Sequence, residues 1–112
     1  MSKEQSVDFI AVASVSELTD PDSMLVEVDD KMIVLIHAAG HYYALDDLCT
    51  HDGGPLSGGK IDTAGAALVC PRHGARFELS SGAALTMPAT KATVAHEVKV
   101  EHGKILVRLR GS

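Results

Sequence analysis

The sequence predicts an all-β fold, and two observations predict it. Short runs rich in Val, Ile, Leu and Tyr recur along the chain, separated by turns that contain Gly, Asp and Pro. Where a run alternates, as Val26-Glu27-Val28 does, the period is two, which marks a strand with one buried face. The elements follow in order. Residues 7–12 form a first strand. Ser14 and Glu17 stand at capping-box spacing and predict a single helical turn. Residues 19–23 are a turn, and residues 24–28 and 32–37 are strands joined across 29–31. Ala39-Gly40 turns the chain into a strand at 42–45. Residues 49–59 are rich in Gly and show no strand period. Two short strands, 67–70 and 75–79, flank a tight loop at 70–74, and 80–82 is a turn. A hairpin of residues 94–100 and 104–109 turns about 101–103.

This order places strands at 1–45 and 80–112 around a loop-rich insert at 46–79, within one domain of 112 residues. The composition, 46% hydrophobic and 22% charged, is that of a globular chain. The longest apolar run, residues 32–36, is of strand length, far short of the roughly 18 residues a membrane helix needs. The first five residues are polar and no apolar leader follows them, so a cytoplasmic protein is expected. The net charge of −5 argues against nucleic-acid binding. The charge is uneven, −6 over residues 1–45, −2 over 46–80 and +3 over 81–112. Ordinary solubility accounts for it, or an acidic face that steers the chain to a basic partner.

The chemistry is concentrated in two segments. Cys49-Thr50-His51 is followed, eighteen residues later, by Cys70-Pro71-Arg72-His73. Each segment offers one thiolate and one imidazole, ligands suited to zinc or to an iron–sulfur cluster. A cytosolic cysteine pair is read as metal-binding or redox-active before it is read as a disulfide. Gly53, Gly54 and Gly74 permit tight turns and close backbone approach to a bound group.

Cys-x-His followed by Cys-x-x-His in a β-rich chain of this size resembles the Rieske iron–sulfur family. The likeness spans residues 46–90. Cys49-Thr50-His51-Asp52-Gly53-Gly54-Pro55-Leu56 resembles the first cluster loop, and Cys70-Pro71-Arg72-His73-Gly74-Ala75-Arg76-Phe77 the second. Gly82, Leu85 and Pro88-Ala89 resemble the turn and proline loop that cover the cluster. The resemblance implies an antiparallel β sandwich with a small cluster-binding subdomain. It implies one [2Fe–2S] cluster, with Cys49 and Cys70 on one iron and His51 and His73 on the other. A structural zinc module built from the same four side chains is the alternative from another class.

Two departures bear on redox poise. High-potential members carry two further cysteines that join the loops, and the matching positions are Gly54 and Arg72. They also place hydroxyls, which bond to cluster sulfurs, where this chain has Ala75 and Phe77. The potential is therefore expected near the low end of the Rieske range of about −150 to +300 mV. The resemblance then implies a ferredoxin of an aromatic-ring-hydroxylating dioxygenase system rather than an enzyme. Such a monomeric carrier docks transiently with a flavin-dependent NAD(P)H reductase and a Rieske non-haem iron oxygenase. It moves one electron at a time, with His51 and His73 as the exit edge. No G-x-G-x-x-G dinucleotide motif is present. A Rieske subunit or redox-sensing module of another oxidoreductase would share these features.

The remaining polar residues carry plainer expectations. His37 is expected to be partly buried and hydrogen-bonded, and His41, His96 and His102 to lie at the surface. Tyr42 and Tyr43 are expected to pack in the sheet, and Asp46, Asp47 and Asp52 to be solvated. Arg72 and Arg76 either contact an oxygenase or form salt bridges within the insert, and Met87 either shields the cluster or simply packs.

Overall fold

Ile33, Val34, Leu35 and Ile36 are apolar at four consecutive positions because their strand is buried on both faces; none exposes any surface. The computed structural model describes residues 8–50, 53–72, 74–87 and 91–110. Its strands are β1 (Ile10–Ser14), β2 (Asp22–Val28), β3 (Lys31–Ala38), β4 (His41–Asp46), β5 (Lys60–Asp62), β6 (Ala67–Val69), β7 (Arg76–Glu78), β8 (Ala95–Glu101) and β9 (Lys104–Arg108). Six of them make one sheet in the order β1-β9-β8-β4-β3-β2, and β5-β6-β7 make a second; every pairing is antiparallel. The all-β, sandwich-type expectation holds.

β3 divides the interior. Ile33 and Leu35 point into a core with Val26, Val28, Ala44, Ile105 and Val107. Val34, Ile36 and Ala38 point the other way, into a core shared with Leu56, Leu68, Ala75, Phe77 and Leu79. The first core belongs to the large sheet. The second joins that sheet to the small one and contains both cysteines, Cys49 and Cys70. Period two along one strand thus builds two cores on opposite sides of one wall.

Local chemistry explains the boundaries. Val15–Glu17 form the expected helical turn, and the Glu17 carboxylate accepts the Ser14 N–H at 2.7 Å. β2 begins at Asp22, two residues before the expected start, because β3 runs on to Ala38 and pairs Asp22 with His37. β1 lies at Ile10–Ser14 rather than 7–12, carried forward through a bulge between Ala11 and Ala13 as it pairs with β9; residue 7 lies outside the described residues. β5 was not expected. Lys60-Ile61-Asp62 is too short to display a period, and its pairing with β6 defines it. An ion pair from Arg76 on β7 to Asp62 on β5 ties the outer strands of the small sheet.

Candidate metal centre

Two loops of the same construction carry the cysteines. The Cys49 N–H donates to the Gly54 carbonyl at 2.7 Å, and the Cys49 carbonyl accepts the Gly53 N–H at 2.8 Å. The Cys70 N–H donates to the Ala75 carbonyl at 2.7 Å, and the Cys70 carbonyl accepts the Gly74 N–H at 3.1 Å. Each cysteine therefore closes its loop to the residues four and five positions later. Gly53 and Gly74 hold φ of +77° and +75°, conformations that disfavour any side chain. This is the physical reason for a glycine four residues after each cysteine. With their backbone groups paired inside the loop, the thiols are the side-chain groups each loop offers as ligands. Both are unoxidised and buried, 0% and 2% exposed.

Two residues from beyond the insert, Thr86 and Lys91, bond to these loops. The Thr50 hydroxyl donates to the Lys91 carbonyl at 2.6 Å, and the Thr86 hydroxyl accepts the Arg76 N–H at 3.1 Å. Lys91 is thereby fastened to the first loop and Thr86 to β7. Leu48, just before Cys49, and Leu85 and Met87, on either side of Thr86, are apolar yet exposed, and Met87, at 73%, is not a packed core residue. Pro88 and Ala89, assigned to the covering loop, lie outside the described residues, as do Asp52 and the two candidate ligands His51 and His73. Among the described residues the site therefore offers the thiolate half of the donor set, and no group of three metal-ligating side chains occurs.

The acidic residues before Cys49 correct the expectation of solvation. Asp46 is buried at 7%. Its Oδ1 lies 2.7 Å from Nε2 of His96, whose side chain is fully buried, and its Oδ2 lies 3.6 Å from Nζ of Lys31. His96 Nδ1 accepts the Arg110 N–H at 2.8 Å. A backbone amide only donates, so the ring proton sits on Nε2 and is given to Asp46. His96 is therefore a buried strut and not a surface residue. The chain passes directly to Asp47, whose Oδ1 accepts the N–H groups of Leu56 and Ser57 at 2.8 and 2.7 Å. Asp47 thus pins the far end of the first loop.

Other expectations hold. His37 donates through Nδ1 to the Leu18 carbonyl at 3.0 Å and stacks on Tyr42 with centroids 4.0 Å apart. His41 and His102 are exposed. Tyr42 packs on the core of the large sheet and Tyr43 on the core that holds the cysteines. Arg76 forms the expected salt bridge within the insert; its guanidinium, with the Gly65 N–H, holds the Asp62 carboxyl below its ordinary value of 3.8. Arg72 also turns inward, donating to the Pro55 carbonyl at 2.8 Å.

The donor set suits an iron–sulfur centre. Two buried thiols face a shared core from two matched loops, and thiolate is the soft ligand such clusters take. A family model described as the Rieske [2Fe-2S] domain matches residues 8–104. The chain belongs to the Rieske [2Fe–2S] family, and its cofactor is one [2Fe–2S] cluster rather than a zinc ion.

Relatives narrow the class to ferredoxins. The chain is 32% identical over 104 residues to the ferredoxin component of the naphthalene 1,2-dioxygenase system of Pseudomonas putida, covering 93% of this chain and 98% of the relative. The ferredoxin of carbazole 1,9a-dioxygenase from Nocardioides aromaticivorans IC177 superposes with a TM-score of 0.87 at 25% identity, covering 91% of this chain and 98% of that one. A chain in the complex of reduced oxygenase and oxidized ferredoxin of carbazole 1,9a-dioxygenase gives 0.81 at 27% identity, covering 89% and 92%. The chain is an electron carrier and not a catalytic component. Among the described residues no helix is long and apolar enough to cross a membrane.

Proposed function

We propose that this chain shuttles single electrons from a flavin-dependent NAD(P)H reductase to a Rieske non-haem iron oxygenase of aromatic catabolism, as a cytoplasmic monomer. Residues 1–112 form one Rieske domain, with base strands at 1–45 and 80–112 and the cluster-binding subdomain at 46–79. Cys49 and Cys70 hold one iron, and His51 and His73 hold the other. The observation that carries the reading is the pair of matched loops, which present two buried thiols to one core from opposite ends of the insert. The complex of oxygenase and ferredoxin among the structural neighbours supports the choice of acceptor.

The bound cluster supplies a reversible one-electron couple. The protein's part is to exclude water, to fix the ligands and to set the potential. Ala75 and Phe77 are wholly buried beside the second loop and bring no hydroxyl to it. Hydrogen bonds to cluster sulfur raise a potential, so their lack favours a low one. Exposed Leu48, Leu85 and Met87 flank the loops and suit a small, transient contact.

Iron and labile-sulfide analysis, visible absorption and electron paramagnetic resonance test the ligands. The wild type is expected to carry the Rieske signature, and Cys49→Ser or Cys70→Ser to lose it. Normal iron content in either variant overturns the ligand set, and a colourless protein with stoichiometric zinc overturns the cluster. Reduction by candidate reductases followed by oxygenase turnover tests the partners. A loaded protein that no reductase reduces overturns the shuttle and favours a redox-sensing or subunit role.

A further inference from the structure

One side chain reaches from the second cysteine loop to the first. Arg72 lies two residues after Cys70, and its Nη1 donates to the carbonyl of Pro55, beyond Cys49, at 2.8 Å. On the way its guanidinium lies over Gly54. A Cβ at Gly54 would stand 2.8 Å from both the guanidinium carbon and Nη2, and 3.1 Å from Nε. Real Cβ atoms do not come this close, so a side chain at Gly54 would push the guanidinium, the mobile end of Arg72, off its place beside Pro55. The constraint differs from that at Gly53, where φ is +77° and nothing lies near. Gly54 in turn accepts the Cys49 N–H at 2.7 Å. The contact path therefore runs from the Cys70 loop through Arg72 to Gly54 and on to the amide of Cys49.

We propose that Arg72 is a positioning residue, a clasp that fixes the two cluster loops at their working separation by bearing on Gly54 and bonding to Pro55. Guanidinium suits this role because it is flat and always charged, and it donates in its own plane while its face packs. The positions are those at which the sequence lacks the two cysteines of the high-potential relatives, so a non-covalent tie stands where a covalent one is missing. The clasp acts on Cys49 through a backbone hydrogen bond. Opening it disturbs the first loop's thiolate as well as the spacing of the loops, and both bear on potential. The inference rests on the reading that these loops hold the cluster.

The test uses the loaded full-length protein and three variants, Arg72→Met, Gly54→Ala and the two combined. Lys104→Met, on β9 of the large sheet, is the control for loss of one positive charge. Cluster release to an iron chelator is followed by visible absorption, the midpoint potential by redox titration, and global unfolding by circular dichroism. Arg72→Met is expected to release its cluster about fivefold faster, the effect of losing one solvent-exposed hydrogen bond to a charged donor. Gly54→Ala is expected to do the same by displacing the guanidinium. Both shift the midpoint potential, whereas Lys104→Met shifts neither quantity and the melting temperature is unchanged throughout. If the two residues form one clasp, the double variant is no worse than the weaker single variant. Wild-type release or an unmoved potential in either single variant overturns the clasp, and so do effects that multiply in the double. Should Arg72→Met fail to load, Gly54→Ala decides alone on the same terms. A wild type without the Rieske spectrum would instead refute the cluster reading on which the clasp depends.

Discussion

Replacing Asp47 by alanine should loosen the first loop without touching a ligand. The carboxylate accepts the N–H groups of Leu56 and Ser57 at 2.8 and 2.7 Å and faces the Ser57 hydroxyl at 3.3 Å. Its own N–H donates to Met32 on β3 at 3.0 Å, so the residue fastens the loop's return arm to the large sheet. A hydrogen bond to a charged acceptor contributes about 1.5–3 kcal/mol, and the lower end applies because Asp47 is half-buried. Opening lets water satisfy the two amides, so their loss together costs about 2 kcal/mol, or about thirtyfold in the loop-opening equilibrium. Hydrogen exchange of the peptide carrying residues 53–57, read by mass spectrometry, measures that equilibrium directly, and chelator-driven bleaching measures its consequence. Asp47→Asn keeps a carbonyl oxygen where Oδ1 now accepts both amides and should lose much less, about 1 kcal/mol. Wild-type exchange in Asp47→Ala refutes the reasoning. Equal lability of the alanine and asparagine variants refutes it too, because the two differ in whether an acceptor remains.

Three further outcomes follow. His96→Leu strands the Arg110 N–H and leaves Asp46 Oδ1 facing an apolar group, which costs about 3 kcal/mol and lowers the melting temperature by about 10 °C; thermal unfolding followed by circular dichroism checks it. Ala75→Ser and Phe77→Tyr add hydroxyls beside the second loop and should raise the midpoint potential; a redox titration that finds it unchanged or lower contradicts the account of tuning. Asp62 has its carboxyl depressed by Arg76, so the pair stabilises the folded chain above the ordinary carboxylate value of 3.8 and ceases to do so as pH falls through the lower folded value. The stability difference between wild type and Asp62→Asn, measured by urea unfolding at a series of pH values, should therefore shrink on the acid side, and a difference that grows there has the wrong sign.

What the sequence disclosed and what it withheld differ in physical kind. Strand period and turn chemistry are local, so β3, β4, β8 and β9 were legible to within a residue or two. The cysteines were legible because ligand type and spacing are written in adjacent positions. Asp47 and His96 were not, because their partners lie at sequence separations of nine to fifty residues. His96 follows Ala95 in a strand that alternates, and alternation alone predicts that one of the two faces water. Both are buried, because Asp46 on the neighbouring β4 offers the imidazole a carboxylate. Asp47 did leave a signal: an aspartate between a strand end and a Gly-rich loop is an acceptor for loop amides. The contact at Gly54 was invisible, since Gly53 and Gly54 look alike in sequence and only the fold sets Arg72 against one of them.

The placement of β3 explains how so small an insert can be rigid enough to carry a cluster. Two loops and three strands of three residues each could not bury a core alone. Val34 and Ile36 supply the missing wall, and the strand that lends them is held on its other face by Ile33 and Leu35 in the core of the large sheet. Any motion of the cysteine loops that opens the shared core must separate Leu56, Leu68 and Phe77 from β3, and that exposes apolar surface at about 25 cal/mol per Å². The hydrogen bonds of Asp47 to Leu56 and Ser57, of Thr50 to Lys91 and of Arg76 to Thr86 then act on loops already held against a fixed surface. A carrier that changes charge by one electron at each visit gains from this arrangement, because ligands that stay in place in both states need little rearrangement in either. The continuous apolar run in β3 is thus a requirement of the redox site as much as of the sheet that contains it.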